Sequence, residues 1–209
     1  MNIDKKWLDT HEWMLRSSNN GISYDGYKWP SKNRWAKAPD WSELPKCGGG
    51  FHGNAPEAHG FGFLYSRIEL AETRGPRVPI DGNKIKTLEA RLVAFNEEIP
   101  HEAFARCGLT AKTVRRGTIT PKRGNLYFVT GRVKVVGMSC GYIVVCRGGT
   151  VNATGQTGGE CHAYGGTVNA TGQAGGECWA YSGTVNATGQ AGGECHACGG
   201  TVKVDKKTK

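Results

Sequence analysis

Cys47, His52 and His59 are of the residue types that bind metal ions or carry out nucleophilic chemistry. Their spacing is C-x4-H-x6-H, and Cys107 is a further candidate partner. Zinc sites are usually built from closely paired ligands such as Cys-x-x-Cys, and this segment has no such pair. A Cys–His nucleophile pair needs the two side chains in contact and a third group that orients the base. The sequence therefore predicts neither a metal nor a cofactor, while a metal site or chemistry at Cys47, His52 and His59 stays an open alternative.

A second cysteine pattern, Cys195-x-x-Cys198, lies in a segment with the alternation of a β-strand. Residues three apart in a strand point to opposite faces, which excludes a shared metal or redox centre. The pair His52-Gly53 resembles the His-Gly element of ADP-ribosyltransferases, in which the histidine holds the nicotinamide ribose. The tyrosine and glutamate that complete such sites have no assigned counterparts here. An enzyme of that type is one alternative, and a protein without catalytic activity is the preferred interpretation.

A resemblance to a known family is carried by the segment DWSELPKCGGGFHGNAPEAHGFG, followed by strands containing Ile-Glu-Leu and Arg-Leu-Val-Ala. Over residues 24–108 the chain resembles a family of phage-encoded proteins that share a Cys-x-x-Gly-Leu-His-Gly core. Many of these proteins carry solenoid-like repeats behind that core. Phe51 stands where the family usually has Leu. The resemblance implies a phage or prophage origin, and it transfers no catalytic residue.

Residues 1–113 are predicted to form a separate small α+β domain with a Trp-rich, basic N-terminus. SRIELAETR and NKIKTLEARLVAFN have the composition of strands, and the segment from Ile99-Pro100-His101 through Arg106 is expected to form a short helix that ends near Gly108. Five of the six tryptophans lie between Trp7 and Trp41, among basic residues. This basic patch comprises Lys28, Lys32, Arg34 and Lys37. Aromatic rings among cations can stack on single-stranded bases, but we favour the interpretation that these tryptophans form the domain core.

A strict 17-residue repeat dominates the C-terminal part, with Thr150, Thr167, Thr184 and Thr201 in equivalent positions. A fixed period of this length is typical of a stacked architecture. Each unit contains two alternating segments, such as TVNAT and ECHAY, separated by Gly-rich turns. The sequence therefore predicts a β-solenoid (β-helix) of 17-residue coils over residues 114–204, followed by a basic tail at 205–209.

Period-two alternation assigns each strand an inner and an outer face. Small side chains are expected inside the regular coils, at Val151 and Ala153 in one strand and Cys161 and Ala163 in the other. Larger side chains are expected inside the first coils. Leu126 and Phe128 are predicted to lie 17 residues before Ile143 and Val145 in the stack, and those two lie 18 before Cys161 and Ala163. Val133 and Val135 are likewise predicted to lie 18 before Val151 and Ala153.

The two outer faces of the solenoid differ. One carries Thr150, Asn152, Thr154 and their equivalents, and we call it the Thr–Asn face. The other carries three rows, which are a Glu ladder (Glu160, Glu177, Glu194), a ring ladder (His162, Trp179, His196) and an outer row (Tyr164, Tyr181, Cys198). Exposed aromatics beside charges are typical of protein-contact surfaces, so we predict that the Glu ladder, the ring ladder and both tyrosines bind a partner. The alternative is that repeat duplication alone produced these rows.

Charge is distributed unevenly along a chain whose net charge is +9. Residues 1–147 hold 23 Lys or Arg and 14 Asp or Glu, whereas residues 148–200 hold three Glu and no Lys or Arg. No segment reaches the roughly 20 apolar residues of a membrane span, and the N-terminus lacks the apolar stretch of a signal peptide. These features predict reduced cysteines, no membrane partner and a cytoplasmic location. The family resemblance implies that the cytoplasm is that of a bacterial host.

Together these patterns predict a non-enzymatic phage accessory protein that binds a host macromolecule. A host protein is the expected partner, and inhibition of a bacterial defence system is the specific hypothesis. Nucleic-acid binding through the basic N-terminal domain is the first alternative, because exposed cations attract phosphate. The ADP-ribosyltransferase-like enzyme is the second. Self-association into a homo-oligomer is left open.

Overall fold

The computed structural model describes residues 2–18, 21–23, 26–56, 67–80, 84–122, 125–138, 142–145, 148–172, 174–189 and 192–205. The chain divides into two compact units, Met1–Leu109 and Thr110–Lys209. Strands predominate, with a small α+β region at the N-terminus and a solenoid of about five coils over residues 110–205. The predicted fold class is confirmed. No helix in the described ranges is long and apolar enough to cross a membrane.

In its described residues the N-terminal unit contains two short helices and five strands. Its elements are α1 (Lys5–Thr10), β1 (Trp13–Ser18), β2 (Ala36–Lys37), β3 (Phe51–Asn54), β4 (Arg67–Ile80), β5 (Lys84–Phe95), a 3-10 turn (Asn96–Glu98) and α2 (His101–Arg106). The first helix begins where the carboxylate of Asp4 accepts a hydrogen bond from the backbone N–H of Trp7, satisfying a donor that the helix leaves unpaired. Both predicted strands and the predicted short helix are confirmed.

Antiparallel pairing in this unit closes on itself. Strand β5 pairs with β3, β3 with β1, β1 with β4, and β4 returns to β5, while the short β2 pairs with Glu89 and Ala90 of β5. The closed arrangement encloses a core that includes Met14, Trp29, Phe51, Ala71 and Leu92. Closure leaves few exposed strand edges. This arrangement suits a small unit that contains few aliphatic residues.

The tryptophans of the N-terminal segment belong mainly to this unit's interior. Trp7, Trp13 and Trp29 are buried, and Trp35 and Trp41 are half-buried. The guanidinium of Arg16 lies 4.0 Å from the centroid of the Trp29 ring. The interpretation that the tryptophans form the domain core is therefore confirmed for the three that are buried.

The solenoid unit contains ten strands in one connected sheet. They are β6 (Thr110–Ile119), β7 (Asn125–Val136), β8 (Tyr142–Val145), β9 (Thr150–Thr154), β10 (Thr157–Ala163), β11 (Thr167–Thr171), β12 (Gly175–Ala180), β13 (Thr184–Thr188), β14 (Glu194–Ala197) and β15 (Thr201–Asp205). All neighbouring strands in it are parallel, in the order β14-β12-β10-β8-β7-β9-β11-β13-β15, with β6 beside β7. The long strand β7 therefore serves both walls of the flattened coil.

The regular coils stack in the register that the sequence predicts. Thr150, Thr167, Thr184 and Thr201 pair in succession, and Cys161, Cys178 and Cys195 do the same on the other wall. The predicted 18-residue offsets are also confirmed, since Ile143 pairs with Cys161 and Val133 with Val151.

The predicted offset between the first two coils is wrong by one residue. Tyr127 and Val129, rather than Leu126 and Phe128, pair with Ile143 and Val145. The offset is 16 residues there, and a slip of one residue moves every side chain to the other face of a strand. Tyr127 and Val129 accordingly belong to the interior cluster, whereas Phe128 points to the opposite side of the strand.

The solenoid interior is narrow and formed by small side chains in the regular coils. Val151, Ala153, Cys161 and Ala163 are buried, as predicted, and their equivalents extend the same cluster. The corners are tight enough to require glycine. A Cβ on Gly183 would lie 2.3 Å from the backbone oxygen of Gly166 in the preceding coil, so any side chain there would push the coils apart.

Candidate interaction surface

The ring ladder is formed by equivalent positions of three successive strands. His162 of β10 pairs with Trp179 of β12, which pairs with His196 of β14. The rings of His162 and Trp179 are nearly parallel with centroids 6.3 Å apart, and those of Trp179 and His196 are 4.0 Å apart. Parallel in-register strands hold identical positions about 4.8 Å apart, which is what brings the rings into a stack.

Each ring of the ladder contacts the carboxylate two residues earlier on its own strand. Nε2 of His162 lies 2.8 Å from the Glu160 carboxylate, and Trp179 Nε1 donates to Glu177 at 2.8 Å. Nε2 of His196 lies 3.0 Å from the Glu194 carboxylate. Like charges on adjacent strands repel, and these N–H groups offset part of that repulsion. The Glu ladder therefore has an internal source of stabilisation within the solenoid itself.

Two of the predicted partner-binding residues are not exposed. His162 retains only 2% of its accessible surface and Tyr181 only 6%. The Tyr181 ring stacks on His162 with a centroid distance of 5.8 Å, and Trp179 packs against both. The expectation that these two side chains face solvent is wrong, because Trp179 and Tyr181 of the next coil cover His162, and Tyr181 in turn packs against His162 and Trp179. Trp179, His196, Tyr164 and the carboxylates of Glu160 and Glu177 remain half-buried, and Glu194 is exposed.

The row of paired positions that contains the ring ladder extends into two earlier coils, which was not predicted. Phe128 pairs with Val144, and Val144 pairs with His162. Both Phe128 and Val144 are buried, and exposure along the row increases towards His196. Testing a 16-residue offset between β7 and β8 would have revealed these two members. The predicted offset of 17 placed Phe128 in the interior instead.

Burial changes the acid–base behaviour of the first ring. Loss of solvation lowers the pKa of His162, and the neighbouring carboxylates of Glu160 and Glu177 oppose that shift only in part. The ring is consequently neutral near pH 7. On the inner side of the same strands, a hydrogen bond with Cys178, together with burial, raises the pKa of the Cys195 thiol. The cysteine row therefore behaves as small apolar packing.

A side chain of the solenoid interior that sequence analysis missed is Gln156. It is fully buried at the turn before β10, donates to the backbone oxygen of Gly159 at 3.0 Å and accepts from the Cys178 thiol at 3.8 Å. A glutamine recurs at this position in every unit, within the Gly-rich turn that separates the two strands. The recurrence was the available signal.

The Thr–Asn face is ordered by an asparagine ladder. The amide of Asn169 donates to Asn152 at 2.9 Å, and Asn186 donates to Asn169 at 2.9 Å. All three are half-buried, and the flanking threonines are half-buried or exposed. The side chains that this face presents over the regular coils are uncharged threonines and asparagines.

In the N-terminal unit, Cys47 is exposed and His52 is half-buried at the start of β3, while His59 lies outside the described residues. Lys86, the cross-strand partner of His52, is fully buried, and its ammonium bonds the backbone oxygens of Lys46 and Gly48 at 3.2 and 3.1 Å. Lys86 therefore anchors the loop around Cys47, a role that was not predicted from the sequence. Among the described residues no group of three or more His, Cys, Asp or Glu side chains is placed to hold a metal ion.

The basic patch of this unit is exposed, but the described tryptophans near it leave little surface on which single-stranded bases could stack. Lys28, Lys32, Arg34 and Lys37 all face solvent, and Lys32 pairs with Glu98 at 2.7 Å. Trp35 is flanked by guanidinium groups of Arg74 and Arg91, 4.1 and 5.0 Å from its ring centroid. With three other tryptophans buried, the patch offers charge and little stacking area.

Comparison of the chain with protein-family models, with curated proteins and with solved structures found no match in any of the three. The fold defines a two-unit protein in which a small α+β region is followed along the chain by a β-solenoid.

Proposed function

We propose that the protein is a non-enzymatic binding module whose ring ladder and Glu ladder contact a partner protein. The observation that supports this most is Trp179, a half-buried indole on an outer wall, next to a row of carboxylates. Tryptophan is the residue type most enriched in interface hot spots, because it offers a large contact area with few rotatable bonds.

Rigidity supports the same proposal. The indole of Trp179 is held from two sides by stacked rings and from a third by the hydrogen bond to Glu177. A side chain that is already ordered loses little conformational entropy when a partner binds. The surface is therefore organised before association.

The charge of the wall that carries the Glu ladder and the ring ladder indicates which side chains a complementary partner would have. Residues 148–200 carry three Glu and no cation, so this wall presents acidic side chains around an aromatic row. A partner with basic residues surrounding an apolar pocket is complementary to it. We propose a host protein of that kind. A phage origin comes from the family resemblance alone. Inhibition of a bacterial defence system is a hypothesis that adds the patterned repeat scaffold to that origin, and both stay predictions.

The two alternatives receive less support. Nucleic-acid binding by the basic patch of the N-terminal unit would have to proceed largely without base stacking, because Trp7, Trp13 and Trp29 are buried. The ADP-ribosyltransferase-like alternative still has no tyrosine or glutamate assigned to it. Neither alternative uses the solenoid.

Site-specific photo-crosslinking tests the proposal. A photoreactive phenylalanine analogue at position 196, in the ring ladder, is expected to crosslink a discrete protein in bacterial lysate. The matched control carries the analogue at position 184, on the Thr–Asn face of the same coil. Crosslinking from 184 with none from 196 would show that the wrong wall has been chosen.

A further inference from the structure

We infer that the first coils carry a second binding surface, which takes the sugar–phosphate backbone of double-stranded nucleic acid. It consists of Arg116, Arg132 and Lys134, which we call the basic coil face. It lies on the wall opposite the ring ladder and in a different unit from the basic patch of the N-terminal segment.

The outward direction of these side chains follows from their strand positions. Val133 and Val135 are buried in the solenoid interior, so the alternating residues Arg132 and Lys134 face out, and both are exposed. Arg116 of β6 is the cross-strand partner of Arg132, and it is exposed too. Two guanidinium groups and one ammonium group therefore share one small area of sheet.

This charge is not compensated within the described part of the chain. Residues 110–138 contain seven Lys or Arg and no Asp or Glu. None of the three cations of the basic coil face forms an ion pair with a described carboxylate, whereas Lys32 and Arg106 both do. Like charges directly opposite each other in a sheet are destabilising, so an anionic ligand is the natural counterpart of this surface.

The basic coil face continues into rows of hydrogen-bonding side chains. Arg132 pairs with Thr150 and Lys134 with Asn152, and the latter row runs on through Asn169 and Asn186 to the exposed Lys203. Four strand spacings separate Lys134 from Lys203, or about 19 Å at about 4.8 Å per spacing. That length corresponds to about five or six base pairs at about 3.4 Å each.

The composition of this wall favours the backbone of a duplex over unpaired bases. Its outward residues over β7 to β13 are Arg, Lys, Val, Thr and Asn, with no aromatic ring for a base to stack on. Arg, Lys, Thr and Asn are residues that typically contact phosphate and sugar. A flat and rigid wall of this kind makes sequence-independent contacts.

Fluorescence anisotropy with a labelled duplex of about 20 base pairs tests this inference, over about 50 to 200 mM salt. The full chain is compared with R116E/R132E/K134E and with the neutral triple R116Q/R132Q/K134Q, which guards against misfolding of the reversed variant. K28E/R34E/K37E, in the N-terminal unit, is the control with the same change of net charge as the Glu triple. Circular dichroism checks the fold of every variant.

The wild type is expected to bind with a Kd of about 1 to 100 μM, weakening as salt rises. Both triples on the solenoid should weaken binding at least about 10-fold at low salt and reduce the slope of log K against log salt by about 2.7, since each lost phosphate contact removes about 0.9. The control triple should change much less, and W179H should bind the duplex normally, which separates this surface from the proposed protein interface.

Three results would overturn the inference. One is equal loss of binding in the solenoid triples and the control, which would indicate a response to net charge alone. Another is normal duplex binding by both solenoid triples. The third is binding of heparin but not of duplex by the wild type, which would assign the surface to a sulfated polysaccharide.

Discussion

The side-chain amide of Asn169 donates a hydrogen bond to the amide oxygen of Asn152, one coil earlier, at a distance of 2.9 Å. Asn186 repeats the bond to Asn169, so the central asparagine takes part in two. Each bond joins adjacent coils along the solenoid axis. The ladder therefore adds side-chain contacts to the backbone pairing that holds coil to coil.

Replacing the central member of this ladder tests its contribution. Asn169→Ala removes two hydrogen bonds and is expected to lower the free energy of unfolding by about 1 to 3 kcal/mol, at about 0.5 to 1.5 kcal/mol per bond. Thr171→Ala is the matched control, because Thr171 is exposed on the same strand and should cost less than about 0.5 kcal/mol. Urea unfolding followed by circular dichroism measures both. Equal losses would mean that the ladder contributes nothing specific.

Removal of one complete coil is expected to leave a folded protein. Deleting residues 166–182 joins Gly165 to Gly183 and keeps every strand in register, because each coil contacts mainly its neighbours. Deleting eight residues instead places unlike positions opposite each other and should abolish cooperative unfolding. Thermal melts of the two deletion variants against the full chain make the comparison. Equal tolerance of both deletions would contradict the solenoid register.

Acidification is expected to destabilise the solenoid through His162. Its pKa in the folded state is lowered by burial, so the unfolded chain binds a proton more readily as pH falls below about 6.5. The stabilisation from the neutral ring is thus complete above that pH and is lost progressively as pH falls further. The melting temperature should decrease between about pH 7.5 and pH 5.5, and the decrease should be smaller in His162→Phe. An unchanged pH dependence in that variant would assign the effect to other groups.

The thiols of Cys47 and Cys195 are expected to react at different rates. Cys47 is exposed, whereas the pKa of Cys195 is raised by its hydrogen bond with Cys178 and by burial. Only the thiolate is nucleophilic, so iodoacetamide at mildly alkaline pH should modify Cys47 well before Cys195. Mass spectrometry after cleavage at Glu residues locates the modified positions. Comparable rates at the two cysteines would refute the assignment of Cys195 to packing.

The regular coils could be predicted from the sequence because their repeat length is constant. A constant repeat length fixes which residues of neighbouring coils pair. Once Thr150 and Thr167 are aligned, strict two-residue alternation fixes which side chains face inwards. The first coils have no such repetition, and offsets of both 16 and 17 residues align apolar residues of β7 with Ile143 and Val145. For that reason the pairing partner of Phe128 was predicted wrongly.

Burial of individual surface residues could not be predicted because it depends on neighbours in other coils. His162 and His196 occupy equivalent positions, yet His162 is buried between the rings of Trp179 and Tyr181, whereas His196 stacks on Trp179 and stays half-buried. In the N-terminal unit, strand composition located β4 and β5, but gave no sign that Lys86 would be buried and would hold the loop around Cys47. Such contacts arise between segments distant in sequence.

The most direct test of the proposed interface is the affinity of Trp179→His for the partner crosslinked through position 196. Histidine occupies the equivalent position in both neighbouring coils, so this variant keeps a stacked ring and a hydrogen-bonding nitrogen while losing the indole surface. The matched control replaces Thr150, Thr167 and Thr184 by Val on the Thr–Asn face, and circular dichroism confirms the fold of both.

In a calorimetric titration, Trp179→His is expected to weaken binding by about 2 kcal/mol, which is a Kd about 30-fold higher, because a central tryptophan dominates such interfaces. The threonine variant should stay within about 3-fold of the wild type, which is less than about 0.7 kcal/mol. Normal binding by Trp179→His, with or without a loss in the threonine variant, would contradict the central claim that the ring ladder is the protein-binding surface.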